Sequence, residues 1–224
     1  MSAAPNGHKR KKATPRKILI FGESEYDTKA IAEFVLTLVD GRAVAVEARR
    51  NPPVLIRDAN PKDVPSRASK LAAIVEAALV DSEVVAVVAH EDCDAVEPAH
   101  VATQQKIEAA FSRQRFPVIA ATPAWEMEAW LMQWPLAFRE HRPTWRSIEA
   151  YRNRNLGLIS DVKEELIRAL RPHGGGRGAR DYRESDAPLI AAIVRRNGWT
   201  KAPEARSDSY TDFMRRTELA LASV

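Results

Sequence analysis

The chain has 224 residues, 45% hydrophobic and 29% charged, with a net charge of +4 and one cysteine, Cys93. That length suits one α/β domain with an appendage or two small domains. A lone cysteine excludes an intrachain disulfide, no apolar run approaches the ~18 residues of a membrane-spanning helix, and the charged N-terminus lacks a signal-peptide-like apolar segment. A cytoplasmic protein without membrane attachment is expected.

Residues 1–16 carry basic residues with no periodicity and are expected to be a disordered tail. Residues 17–21 (Lys-Ile-Leu-Ile-Phe) predict a first strand, followed by Gly22-Glu23-Ser24-Glu25. Ile31, Phe34, Val35, Leu38 and Val39 then recur at helical spacing, with Asp27 as the expected N-cap and Asp40-Gly41 as the stop. A second strand is expected at 43–46. The prolines of 49–65 demand a loop, and Ser66 is expected to open a second helix. The β-branched run 83–89 reads as a strand buried on both faces, ending at His90-Glu91-Asp92-Cys93-Asp94. A weak helix over 98–113 and a fourth strand over 117–121 follow. Thr122-Pro123 then introduces a helical segment at 125–132. Beyond about 135 no strand is convincing, and helices are expected at 160–170, 187–196 and 208–222. Residues 172–178 read as a flexible Gly-rich loop.

Strands alternating with amphipathic helices predict an α/β fold with a mainly parallel four-stranded sheet and a C-terminal helical extension. In such a sheet the carboxyl ends of all strands face one edge, where ligands bind. Three acidic clusters fall there: Glu23 and Glu25, then Glu91, Asp92 and Asp94, then Glu126 and Glu128. Asp92 and Asp94 fall there on one side of an extended segment, because side chains alternate with period two. Carboxylates held together repel unless a proton or cation lies between them, and a hard divalent ion is the natural remedy. On a helix, Glu126 and Glu128 would point apart, so only one of them can join the site. His90 reads as a buried structural histidine, and Cys93, between two aspartates, as a poor nucleophile. The tryptophans 125, 130, 134 and 145 read as packing residues.

Charge is segregated along the chain. Residues 18–138 hold 11 basic and 18 acidic residues, whereas 139–216 hold 17 basic and 11 acidic. Lys29 near the start of the first helix, and Arg177, Arg180 and Arg183 around the Gly-rich loop, are the candidate phosphate contacts.

The order strand-Gly-Glu-x-Glu-helix, strand-Asp-x-Asp, then Glu128-Ala129-Trp130-Leu131 resembles a Toprim-type domain over roughly residues 17–135. The nearest resemblance is to compact prokaryotic Toprim-like proteins of unknown function associated with anti-phage defence. It implies a Rossmann-like domain at 17–135, with the helical, Arg-rich residues 136–224 packed on it. It further implies Mg2+ or Mn2+ at Asp92 and Asp94, with Glu23, Glu25 and Glu128 completing the shell. The implied activity is phosphodiester hydrolysis on nucleic acid, with Glu23, Asp92 and Asp94 as the catalytic acids. One departure stands out: the first motif usually reads Glu-Gly-x-x-Glu, and here Phe21 holds the first position. The alternative is therefore a non-catalytic Toprim-like module that binds nucleic acid or a partner. The chain has no Gly-x-x-x-x-Gly-Lys loop, so an ATPase acting with it would be a separate chain, and self-association is compatible with the sequence. A haloacid-dehalogenase-type phosphotransferase is disfavoured, because its nucleophile would follow the first strand, where Gly22 and Glu23 stand.

Overall fold

A computed structural model describes residues 14–172 and 180–222. Most of the basic tail and Arg177 lie outside the described residues. Four strands, β1 (Arg16–Phe21), β2 (Val44–Arg49), β3 (Glu83–His90) and β4 (Val118–Ala121), form one parallel sheet in the order β2-β1-β3-β4. The predicted α/β class is therefore present. β2 runs three residues past its expected end because Glu47, Ala48 and Arg49 continue the pairing with Leu19, Ile20 and Phe21 of β1 beyond the apolar run. Glu47 there pairs with Lys17 at 2.8 Å.

Helices α1 (Glu25–Leu38) and α2 (Val64–Ala78) cross over from β1 to β2 and from β2 to β3, and α3 (His100–Ala110) connects β3 to β4. The path reverses direction between β2 and β3, so right-handed crossovers put α1 on one face and α2 with α3 on the other. The alternating residues of β1 confirm this division. Ile18 and Ile20 join the core beneath α1, while Leu19 and Phe21 pack with Leu71, Val75 and Ile107.

The last third of the chain completes the α1 face. Helices α4 (Glu128–Leu131), α5 (Pro135–His141), α6 (Val162–Leu170), α7 (Ala187–Arg196) and α8 (Asp208–Ala222) all contribute to the core that contains Ile18 and Phe34. The extension thus shares one hydrophobic core with the sheet rather than having its own. Trp130 stacks on Phe213 at 5.1 Å, and Trp134 meets Tyr210 edge-on at 5.2 Å. Both indoles are buried, with Nε1 donating to Ser209 Oγ and to the Trp199 carbonyl respectively.

Besides α5, which was not anticipated, two helices differ from expectation for reasons the backbone supplies. The helix expected at 125–132 shrinks to α4 because Trp125 takes a left-handed backbone (φ +62°), which an α-helix cannot contain. α2 starts at Val64, with Pro65 accommodated in its first turn, where no amide donor is required. No helix among the described residues is long and apolar enough to cross a membrane.

Candidate metal and phosphate site

Because β2 lies on one side of β1 and β3 on the other, the strand order reverses between β1 and β3. A crevice opens there beyond the strand ends. The β1 side is built by Gly22-Glu23-Ser24 and the first turn of α1. Ser24 caps that helix, its Oγ accepting from the Asp27 amide at 3.1 Å, so Ser24 and not Asp27 is the N-cap. Asp27 is thereby left to face the crevice from the first turn. A Cβ at position 22 would lie 2.8 Å from both His90 Nδ1 and Thr28 Cγ2, so only glycine lets β3's last residue approach this closely.

The β3 side contributes His90 and Asp92. His90 is fully buried, with Nε2 3.2 Å from Asp92 Oδ1, and its Nδ1 has no hydrogen-bond partner among the described residues. One ligand atom each from Asp27, His90 and Asp92 lies within 4.8 Å of the others. Burial alone would lower the His90 pKa, but the bond to Asp92 and the charges of Asp27 and Glu23 outweigh it and raise it to about 9. Burial, with the charges of Asp27 and Glu23, pushes Asp92 upward against the pull of His90. The imidazolium thus offsets part of the carboxylates' negative charge, and it would have to give up its proton to become a metal ligand.

A cavity of about 200 Å³ joins these groups to the C-terminal helices, lined by Glu23, Ser24, Asp27, Asp92, Glu128, Lys163 and Glu184. Glu128, buried at the start of α4, accepts from the Tyr182 hydroxyl at 3.0 Å. Burial raises its pKa to about 8, with repulsion from Asp27, Asp92 and Glu126 adding to the shift despite Lys163. Lys163 on α6 bridges Glu126 and Glu184, each at 2.9 Å. Desolvation opposes its charge, but the bonds to Glu184 and Glu126 more than compensate, and it stays an ammonium.

Of the sequence-predicted acids, Glu23, Asp92 and Glu128 line this cavity together. Asp94 does not share the side of Asp92. β3 ends at His90 and Asp94 is left-handed (φ +49°), so the alternation fails, and its carboxylate pairs with Arg57 at 2.6 Å. Glu25 pairs with Lys29 at 3.7 Å on the outer side of α1. Glu91 fastens the preceding loop, accepting from the Ile56 and Arg57 amides. Glu126 precedes α4, so the helical argument separating it from Glu128 does not apply, and both lie around Lys163. Arg180 clasps Asp186 at 2.7 Å, and Arg183 lies exposed beside a recess described below. Cys93 is buried and its thiol pKa is raised by that burial.

The donor set fits a divalent ion. Two carboxylates suit Mg2+ or Mn2+, and an imidazole nitrogen favours Mn2+ of the two. Asp27, His90, Lys163 and Glu184 were not anticipated as site residues. His90 was read as a structural histidine and Asp27 as a cap, and no local signal placed α6 over the strand ends. Compared with known proteins, the chain matches no family model, no curated protein and no solved structure.

Proposed function

We propose that the chain is a divalent-metal-dependent nuclease of Toprim type, hydrolysing phosphodiesters at the crevice between β1 and β3. The observation that carries this reading is the convergence of Glu23, Asp27, Asp92 and Glu128 on one small cavity that also contains a lysine. Asp27, Asp92 and His90 would hold the ion, with Glu23 and Glu128 lining the same cavity. Mn2+ or Mg2+ bound there supplies Lewis-acid stabilisation of charge on the phosphoryl group. Glu128, with a pKa of about 8, can exchange a proton near neutrality. Lys163, held charged by its carboxylate partners, offers fixed positive charge to a phosphate at the cavity mouth.

The test is cleavage of single- and double-stranded DNA and RNA with Mn2+ or Mg2+. Wild type should cleave at least one of them, and Asp92→Asn should lower the rate by about 100-fold, the scale on which one charge-stabilising group acts. Equal background rates for both proteins with every metal and substrate would overturn the enzyme reading.

One observation favours the second reading, a non-catalytic Toprim-like module acting beside nucleic acid or a separate ATPase. Phe21 stands where the first motif normally has its glutamate, and it is fully buried in the α2 core. Oligonucleotide or ATPase binding unaffected by Asp92→Asn, together with absent cleavage, would select that reading.

A further inference from the structure

A second recess of about 470 Å³ adjoins the acidic cavity and shares Lys163 and Glu184 with it. Its volume lies in the ~300–1,000 Å³ range of small-molecule pockets. Tyr26 forms one wall, from the same turn of α1 that carries Asp27, and Ile167 on α6 forms another. Tyr182 also lines it, and its hydroxyl bonds to Glu128 of the acidic cavity, so the two chambers share a partition of four side chains. Tyr26 is half-buried, and among the described residues its side chain makes no hydrogen bond or ring contact. Arg183 stands exposed at the recess and has no ion-pair partner among the described residues.

An unstacked aromatic wall, an apolar neighbour and an unpaired guanidinium, set one residue along the helix from a candidate metal ligand, have a shared chemical meaning. We infer that this recess is a subsite for the nucleotide adjoining the scissile phosphate, with its base against Tyr26 and its phosphate on Arg183, and that the substrate strand is unpaired there. The inference rests on the nuclease reading for its substrate class. The strandedness follows from access. A base inside a duplex has both faces covered by its neighbours, whereas an unpaired base presents a face that any aromatic side chain can cover. Bonding to the ring face is sequence-tolerant, so recognition here selects the single strand rather than a base.

The experiment measures fluorescence anisotropy of 5′-fluorescein 12-mers (single-stranded DNA, single-stranded RNA and a blunt DNA duplex) with Mn2+. The otherwise unaltered protein is used with phosphorothioate-linked probes, so that cleavage does not consume them. One or both single strands should bind at least about tenfold tighter than the duplex, and the two arms show which sugar is accepted. Tyr26→Ala should weaken single-strand binding about 5- to 150-fold, the scale of one base–aromatic stack. Tyr26→Phe should stay within about twofold of the parent, since it keeps the ring. Arg183→Ala, at an exposed position that leaves the fold intact, should reduce the slope of log affinity against log salt by about 0.7. Equal duplex and single-strand affinities, Tyr26→Ala binding like the parent, or no binding of any probe would each overturn the subsite. If single strands bind through Tyr26 but wild type cleaves nothing, the nuclease reading falls and what stands is a single-strand binding site with no scissile phosphate beside it. If cleavage depends on Asp92 but Tyr26→Ala cleaves and binds single strands normally, the subsite alone falls.

Discussion

Gly22 is the hinge of the site at the scale of single residues. With hydrogen for a side chain it lets the His90 ring lie against the β1–α1 turn, and a methyl group there would meet His90 Nδ1 and Thr28 Cγ2 at 2.8 Å. Neither atom can yield cheaply, because His90 is fully buried and Thr28 is tied by its hydroxyl to the carbonyls of Ser24 and Glu25. Gly22→Ala should therefore displace His90 and weaken Mn2+ binding by about 10–100-fold, as loss of ligand support commonly does. Calorimetric titration with Mn2+ checks this, and affinities within twofold of wild type would exclude His90 from the metal group. Position also explains which residues could be anticipated. Glu23 and Asp92 were legible because each follows an unmistakable strand, and Glu128 because it holds the position that the Toprim resemblance implies. Asp94 misled because alternation holds only while the chain stays extended, and its left-handed backbone ends that condition. Asp27 was read as a cap because its residue type fits both roles, and only the Ser24 hydrogen bond distinguishes them.

Among the secondary elements, apolar periodicity located α1, α2 and the three long C-terminal helices, since each presents a continuous stripe to a core. It could not locate what joins them. Glu97, half the chain away from α8, accepts from Ser207 Oγ at 3.0 Å and the Ser209 amide at 2.8 Å. Its negative charge thus sits at the N-terminus of α8, where the helix dipole favours it. Gly157 presses against the same carboxylate, and a Cβ there would lie 2.0 Å from Glu97 Cδ. The two segments are further tied by the Glu97 amide, which donates to the Gly157 carbonyl at 2.8 Å. Gly157→Ala should accordingly destabilise the fold by about 1–3 kcal/mol through overpacking. Urea unfolding measures it; a midpoint unchanged from wild type would show that α8 does not depend on this clasp. Such long-range fastenings leave no mark in a local window of sequence, which is why the extension was legible as helices with candidate arginines, but Lys163 and Glu184 were not legible as lining the acidic cavity.

Across the whole molecule the buried acids set how stability responds to pH. Glu128 is raised from 4.5 to about 8, so between those values the folded chain keeps a proton that the unfolded chain releases. Stability contributed by that proton falls as pH rises. His90, raised from 6.5 to about 9, acts in the same sense: its contribution is full below its unfolded value and is lost as pH passes its folded one. The upward shift of Asp92 adds to both. Carboxylates shifted downward, such as Asp186 between Arg180 and His141, act only in the acid range, where their stabilisation is lost as pH falls. The metal-free chain should therefore lose thermal stability between about pH 6 and pH 9, by more than ~3 °C, the shift that roughly 1 kcal/mol produces in a chain of this size. A divalent ion replaces the protons as the neutralising charge, so its binding releases them and strengthens with pH. Mn2+ should raise the Tm more at about pH 8 than at about pH 6, and Glu128→Gln should flatten the metal-free profile by removing one titrating group. Differential scanning calorimetry with EDTA and with Mn2+ tests both halves. A metal-free Tm that stays level or climbs over this interval, with no response to Mn2+, would mean that the crevice carboxylates are already neutralised within the fold and await no cation.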